Sequence, residues 1–195
     1  LSVDRENSVG TVPDALDRIG ARAATVLIDR LSSPDFPSLP KNDPAARAVR
    51  RASLAAAVGA GRYAERYGIS RERGYTLGLL HCIGYADLFE IVREMNLPAG
   101  PFRGSVLETY RPAVGRSRAE IWGLPRDFEA VLSDDGTDPS ASAAVVRKAR
   151  SAVPACAIGS QPVEADDDME SEELTGEVNM LFEYLGLEAV PVGQE

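Results

Sequence analysis

The sequence predicts an all-α fold, and three observations favour it. Apolar residues recur at three- and four-residue spacing in successive segments, and no stretch alternates with a period of two for long enough to form a strand. Proline and glycine fall between these segments, where helices begin and end. Hydrophobic residues make up 44% and charged residues 26% of the 195 residues, as is ordinary for a chain that buries a core.

Two long helices separated by a loop are predicted first. Thr11 is a plausible N-cap for a helix that reaches about Leu31, and the proline-rich segment 32–44 is predicted to be the loop. Pro44 then opens a long helix that Gly68 closes. Small residues dominate the inner face of this helix, so a neighbouring helix can approach closely; the face consists of Val49, Ala52, Ala56, Ala60, Tyr63 and Tyr67.

The middle of the chain is predicted to hold shorter helices. Ser70 caps one that continues through residues 78–84, and another covers residues 85–95. Residues 97–104 contain two prolines and two glycines, so we expect a loop there.

Proline, serine and glycine mark the next helices. Ser105 and Glu108 have the spacing of a capping box for a short helix, and Pro112 is predicted to start another. That helix should end at Trp122 and Gly123. We expect Trp122 to fill the core at this corner, with stacking on a ligand as the less favoured alternative.

The last part of the chain carries one more predicted helix pair. Pro125 begins a helix, and Asp138 begins another that reaches about Ala157. Residues 160–172 are predicted to be a mobile acidic linker, and residues 173–195 a C-terminal helix and tail. This last helix should dock through an apolar stripe at helical spacing, made of Leu174, Val178, Leu181, Phe182 and Leu185.

The charge of the chain is unevenly distributed. The net charge is −9, yet no Lys or Arg follows Arg150, so the acidic excess lies in the tail and the body is slightly basic. An acidic balance makes nucleic acid an unlikely partner, because neutralising phosphates requires basic surface. No apolar stretch approaches the length that spans a bilayer, so no membrane partner is expected.

The start of the chain and its cysteines bear on the compartment. Residues 1–10 have neither a basic nor an apolar region of a signal peptide, so we expect a cytoplasmic protein. The chain does not begin with Met, which suggests a fragment or a processed chain. Cys82 and Cys156 match no ligand spacing and are expected to be buried free thiols in a reducing compartment.

Three stretches of the chain, residues 7–20, 78–84 and 113–132, carry recognisable motifs. Together they resemble the HDOD family, a branch of the HD phosphohydrolase superfamily found mostly in bacterial signalling proteins. Residues 78–84, GLLHCIG, resemble the family's Gly-Leu-Leu-His-Asp-hydrophobic-Gly segment. Residues 7–20, NSVGTVPDALDRIG, are similar to the segment that precedes the central helices. Residues 113–132 resemble the Val-Gly…Trp-x-Leu-Pro helix pair through Val114, Gly115, Trp122, Leu124 and Pro125.

This resemblance implies a multi-helix HD-like bundle over residues 1–159. It also implies that the family's first helices are missing from this chain. Enzymes of the HD type use metal ions to polarise a phosphate and to activate a water, and histidines and carboxylates hold those ions.

The metal ligands that the resemblance implies are largely absent. The adjacent His-Asp pair is His81-Cys82 here, Arg111 resembles the position of the next histidine, and Asp134 and Asp135 stand where later paired histidines would be. His81 is the only histidine in the chain. We therefore expect no metal, no other cofactor and no catalysis by this route.

The same five residues are candidates for a reshaped ligand pocket. His81 is either a ligand or proton donor in that pocket or, as the favoured interpretation, a hydrogen-bonded interior residue. Adjacent helical residues point about 100° apart, so Cys82 is not expected to pair with His81. Arg111 should lie near His81 and pair with the carboxylate of Asp134 or Asp135, because a guanidinium inside a protein stays charged.

A second candidate site is a basic patch. Arg47, Arg50 and Arg51 follow the i, i+3, i+4 spacing on the predicted outer face of the long helix, where they are anion-binding candidates. Scattered arginines on helix exteriors are more often only solvated, which is the favoured interpretation.

The favoured function is a non-catalytic signalling or regulatory module that acts through signalling-protein contacts or a small anionic ligand. One alternative is a metal-dependent phosphohydrolase or cyclic-nucleotide phosphodiesterase with an altered site. Another is an anion or nucleotide sensor whose arginines replace the metal. The oligomeric state is not predicted.

Overall fold

The computed structural model describes residues 13–14, 43–98, 101–153 and 169–187. This part of the chain is all-α with no strands, which confirms the predicted fold class. The predicted helix over 11–31 and loop over 32–44 lie almost wholly outside it, as do Cys156 and most of the predicted linker. From residue 43 onward, the described ranges contain seven α-helices: α1 (Pro44–Tyr63), α2 (Arg71–Leu80), α3 (Gly84–Glu94), α4 (Pro101–Trp122), α5 (Arg126–Leu132), α6 (Ala141–Ala152) and α7 (Met169–Tyr184).

The junction between α1 and α2 forms as predicted. A 3-10 turn, Ala64–Tyr67, extends α1, and Gly68 ends it with a φ of 69°, a left-handed conformation that glycine adopts without strain. The Ser70 side chain then accepts a hydrogen bond from the Arg73 N–H and caps α2.

Helices α1 and α2 pack with their backbones almost touching. An ideal Cβ on Gly74 would lie 2.5 Å from the Ala60 carbonyl oxygen, and one on Gly78 would overlap the carbonyl of Ala56. The small inner face predicted for α1 is the other half of this seam. Any larger residue at Gly74 or Gly78 would collide with the backbone of α1. This close contact between the two helices determines where the C-terminal end of α2 lies.

Two apolar clusters share α1. The larger joins α1 to α2, α5, α6 and α7 around Tyr63, Leu77, Phe128, Val145 and Phe182. The smaller joins the start of α1 to α3 and α4, through Val49, Tyr85, Phe89, Val92 and Leu107. The chain segment between α2 and α3 lies where the two clusters meet. None of the described helices is long and apolar enough to cross a bilayer.

Helix α4 differs from the prediction. It is one continuous helix from Pro101 to Trp122 with Pro112 inside it, so the predicted loop is wrong for residues 101–104, and the predicted capping box at Ser105 and helix start at Pro112 are wrong. Leu97 and Pro98 lie outside the helices, as predicted. Pro112 lacks the N–H that would bond four residues back, which costs stability. Burial of Leu107 before it and Ala119 after it outweighs that local cost.

The end of α4 forms the predicted corner without a buried tryptophan. Gly123 has a φ of 60°, and the Leu124 N–H bonds to the carbonyl of Ala119. Trp122 is 50% exposed, so the prediction that it fills the core is wrong. The Arg118 guanidinium lies 5.3 Å from its ring centroid and binds Asp87, and these contacts hold the indole at the surface.

Helix α7 docks by part of its predicted stripe. Leu174, Val178 and Phe182 are fully buried, whereas Leu185 follows the helix and is 47% exposed. Arg62 binds Glu173 and Glu177 at 2.6 and 2.8 Å. Two neighbouring boundaries also differ from the prediction. Helix α6 is capped by Ser140 and not by Asp138, and it ends at Ala152, short of the predicted Ala157. Helix α7 begins at Met169, inside the predicted linker 160–172.

Candidate functional site

The candidate site surrounds the turn of residues 81–83 between α2 and α3. The sequence predicted that this helix continues through residues 78–84, but α2 ends at Leu80. A Cβ on Gly84 would lie 3.1 Å from the backbone of Arg111, so glycine lets the start of α3 approach α4 closely. The α1–α2 seam on one side and this contact on the other fix the turn.

His81 is buried, and both of its ring nitrogens have partners. Nδ1 lies 2.5 Å from the carbonyl oxygen of Gly78, and Nε2 lies 3.0 Å from the Sγ of Cys82. These contacts fit a neutral ring whose Nδ1–H donates to Gly78 while Nε2 accepts from the thiol. The expectation that Cys82 does not pair with His81 is wrong, because the two residues lie in a turn and not within a helix.

The environment keeps His81 neutral. Burial lowers its pKa from 6.5 to about 3, and the positive charges of Arg150 and Arg111 add to that effect. The bond to Gly78 opposes the shift but does not reverse it. A neutral imidazole forms no ion pair with a Cys82 thiolate, so these two residues lack the charge separation of an activated cysteine.

Arg111 meets Asp134, but not through the carboxylate. Its Nη2 donates to the backbone carbonyl oxygen of Asp134 at 2.7 Å. The Asp134 side chain instead binds Nη1 of Arg147 at 2.7 Å and accepts from the Gly136 N–H. The predicted arginine–carboxylate bridge at Arg111 is therefore wrong, because the carboxylate turns towards its own loop and α6.

Asp135 does not join the site. It is exposed, and its carboxylate accepts hydrogen bonds from the hydroxyl and the N–H of Thr137. These bonds lower its pKa below the ordinary value for aspartate. Asp135 thus stabilises a local turn, and its prediction as a pocket residue is wrong.

Arg150 on α6 belongs to the site, although the sequence analysis did not propose it. Its charge acts on His81 more strongly than that of Arg111. A signal for it was present: Val146, Ala149, Arg150 and Val153 follow helical spacing, and the three apolar members are buried. An arginine on that face had to point inward.

A cavity of about 320 Å³ lies beside the turn. Cys82 and Arg50 line it together with apolar residues of α1 and α2, and Leu187 closes one side. Of the predicted pocket residues only Cys82 lines this cavity. Its walls are mainly apolar.

The predicted basic patch does not form one surface. Arg47 is exposed, Arg50 is half-buried at the cavity, and Arg51 lies against α7 with its guanidinium 5.5 Å from the Phe182 ring centroid. The prediction that all three share the outer face is wrong for Arg50 and Arg51, because α7 packs over that side of α1.

The side chains at the turn do not fit a divalent metal ion. Within the described ranges, no group of three or more His, Cys, Asp or Glu residues is placed to hold one. Both nitrogens of His81 are engaged, and the positive charges of Arg150 and Arg111 lower its pKa further. Metal sites need converging ligands with oriented partners, and positive charge there opposes cation binding.

Comparison with known proteins identifies the family. A family model for the HDOD domain matches residues 2–135, which is more than half of the chain, and α6 and α7 lie beyond the match. No curated protein and no solved structure matches the chain. The chain belongs to the HDOD domain family.

Proposed function

We propose that this chain is a non-catalytic regulatory module of the HDOD family, which acts in signalling through protein contacts or a small bound ligand. One observation supports this most directly. At the position of the His-Asp pair, a neutral histidine is engaged on both ring nitrogens beside a thiol, with two arginines nearby.

The electrostatics of the site support the same proposal. Metal-dependent phosphate hydrolysis requires a cation that holds a water and polarises the substrate. Arg111 and Arg150 put fixed positive charge beside His81, and the Asp134 carboxylate is bound to Arg147. A divalent cation would have to displace these contacts and overcome that charge.

The test combines metal analysis with activity. Protein purified without chelators should contain far less than one Zn, Mn, Fe or Mg per chain. It should not hydrolyse bis(p-nitrophenyl) phosphate or cyclic nucleotides when Mn²⁺, Mg²⁺ or Fe²⁺ is added. Glu183→Gln, which removes an exposed carboxylate near the end of α7, serves as the control substitution away from the turn.

A metal content near one per chain that His81→Ala abolishes, together with hydrolysis of either substrate, would overturn the proposal. Those results would establish the metal-dependent phosphohydrolase as the function.

A further inference from the structure

The cavity beside the turn of residues 81–83 is large enough to hold a small organic molecule. Its volume is about 320 Å³, and the described residues that line it belong to α1, the end of α2, the turn and the residues after α7. Protein interiors are close-packed and contain few spaces larger than one water molecule. An apolar cavity of about 150 Å³ is sufficient to bind benzene. The cavity beside the turn is therefore larger than such a ligand requires.

Aliphatic side chains form most of the wall of this cavity. They come from four parts of the chain: Val49, Leu54, Leu79, Leu80, Ile83 and Leu187. Leu187 is held at the cavity by the end of α7, because its N–H donates to the carbonyl oxygen of Phe182 at 2.8 Å and Gly186 turns the chain with a φ of 66°. A wall of this composition is typical of sites that bind apolar molecules.

The two polar side chains without charge at the cavity use their protons within the protein. The Ser53 hydroxyl donates to the carbonyl oxygen of Leu79 at 2.5 Å. The Cys82 thiol lies 3.0 Å from Nε2 of His81, which is its acceptor when the ring is protonated at Nδ1. Neither side chain therefore offers its proton to a ligand.

The main chain of the turn is also paired. The carbonyl oxygens of Leu80 and Cys82 accept hydrogen bonds from the N–H groups of Ile83 and Tyr85, at 2.9 and 3.0 Å. Arg50 is the one charged residue among the described lining residues, and it takes part in an interaction of its own within the protein. A charged ligand would lose water here without gaining matched partners, which is unfavourable.

We propose that this cavity binds a small uncharged apolar molecule of roughly eight to twelve carbon atoms, which contacts Cys82 and Ile83 of the turn. Because the turn leads directly into α3, occupancy of the cavity acts on the segment that joins α2 to α3. The inference rests on the proposed non-catalytic function and specifies the class of its ligand.

Thermal unfolding of the full chain with 1-octanol, 1-hexanol or octanoate, at constant ionic strength, tests the proposal. 1-Octanol at ten times its Kd should raise Tm by about 3–6 °C. 1-Hexanol should bind about 15-fold more weakly, because each buried methylene strengthens binding about fourfold. Octanoate should bind more weakly than 1-octanol, because a carboxylate is more costly to dehydrate than a hydroxyl.

Cavity-filling variants locate the binding site. Leu54→Trp and Leu79→Phe add side-chain volume at the cavity, so each should weaken the binding of 1-octanol at least about tenfold. Two positions are used so that one variant that does not fold leaves the other informative. Leu185→Trp is the matched control, since it enlarges a half-exposed leucine that does not line the cavity. It should keep the wild-type Tm shift.

Alkylation of Cys82 provides a readout that does not depend on heating. The chain has two cysteines, so the measurement uses the Cys156→Ser background, in which Cys82 is the single thiol. N-Ethylmaleimide should modify Cys82 several-fold more slowly in saturating 1-octanol, because a ligand in the cavity shields the thiol. In Leu79→Phe, 1-octanol should leave the rate unchanged.

Three outcomes would overturn the inference. One is the absence of both the Tm shift and the thiol protection up to the solubility limit of 1-octanol. Another is an equal shift in the wild type and both cavity-filling variants, which would mean adventitious binding elsewhere. The third is tighter binding of octanoate than of 1-octanol with that preference lost in Arg50→Gln, which would identify an anionic ligand.

These failures are distinguishable from failure of the proposed function. A metal-free, inactive protein that gives any of the three outcomes retains the proposed function and loses this ligand class. Bound metal with hydrolysis of cyclic nucleotides would end the proposed function, even if 1-octanol still bound in the cavity.

Discussion

Arg111 and Asp134 meet through the main chain: Nη2 of Arg111 donates to the backbone carbonyl oxygen of Asp134, while the Asp134 carboxylate binds Arg147. Helix α4 is thus tied to the loop after α5 by a bond that does not depend on which side chain occupies position 134. The carboxylate serves a different connection, between that loop and α6.

Double-mutant cycles should separate these two contacts. Asp134→Ala and Arg147→Ala should show a coupling free energy of up to about 1 kcal/mol, since Arg147 is partly exposed. Asp134→Ala and Arg111→Ala should couple by less than about 0.3 kcal/mol, because the carbonyl remains in the alanine variant. Urea denaturation measures both. Strong coupling between Arg111 and the Asp134 side chain would contradict the observed arrangement.

The pH dependence of stability should contain a contribution from His81. Its pKa is about 3 in the folded protein and 6.5 when unfolded, so the unfolded state binds a proton first as the pH falls. The contribution of the neutral His81 to the free energy of unfolding is therefore fully present above pH 6.5, and it is lost as the pH falls from 6.5 to about 3. Between pH 7 and 5 the free energy of unfolding should drop by about 2 kcal/mol more than in His81→Asn.

The single histidine makes this prediction easy to check. In tag-free protein, one imidazole gives the ¹⁵N signals, and they should report a neutral ring protonated at Nδ1 with no titration down to pH 5. A midpoint near 6.5 would mean that His81 is solvated and not buried.

Docking of α7 should depend on one part of its stripe. Phe182→Ala should cost about 3–5 kcal/mol of unfolding free energy, because the ring is fully buried between α7 and α1. Leu185→Ala should change it by no more than about 0.5 kcal/mol, since that residue is half exposed. Chemical denaturation compares the two. Equal, small effects would show that α7 is not packed.

Two glycine substitutions should have opposite effects. Gly78→Ala should cost more than about 3 kcal/mol, because the added carbon overlaps the Ala56 carbonyl in the α1–α2 seam. Gly176→Ala should instead stabilise by about 0.5–1 kcal/mol, since it lies inside α7 with nothing within 4 Å of the added carbon. Thermal unfolding of both variants tests the prediction, and a tolerated Gly78→Ala would show that the helices lie further apart.

Helix ends that carry a capping serine or a glycine could be predicted from the local sequence. Gly68 and Ser70 mark one junction and Gly123 another, and each acts at the predicted position. The helix start predicted at Pro112 was wrong, because the proline lies inside a helix that packs on both sides of it. The stability lost at the missing backbone hydrogen bond does not end such a helix. The energy that overrides it comes from residues distant in sequence.

The site was harder to predict than the fold. That Arg111 lies near His81 followed from the family pattern, but the choice between the carbonyl and the carboxylate of Asp134 depends on a loop geometry that spacing does not encode. Arg150 lies beyond the family match, and helical spacing was its one signal. The exposure of Trp122 depends on Arg118, which holds the ring outside.

The glycine seam between α1 and α2 has a consequence for motion. Because Gly74 and Gly78 bring the backbones together, α2 cannot slide or rotate on α1 without collision. The two helices therefore move as a single rigid body that carries His81 at its end. Helix α6 belongs to the same body, because a Cβ on Gly59 of α1 would lie 2.9 Å from the Cβ of Ala149. A displacement of the turn that carries His81 would therefore be passed to α3, with α1, α2 and α6 as the stationary frame.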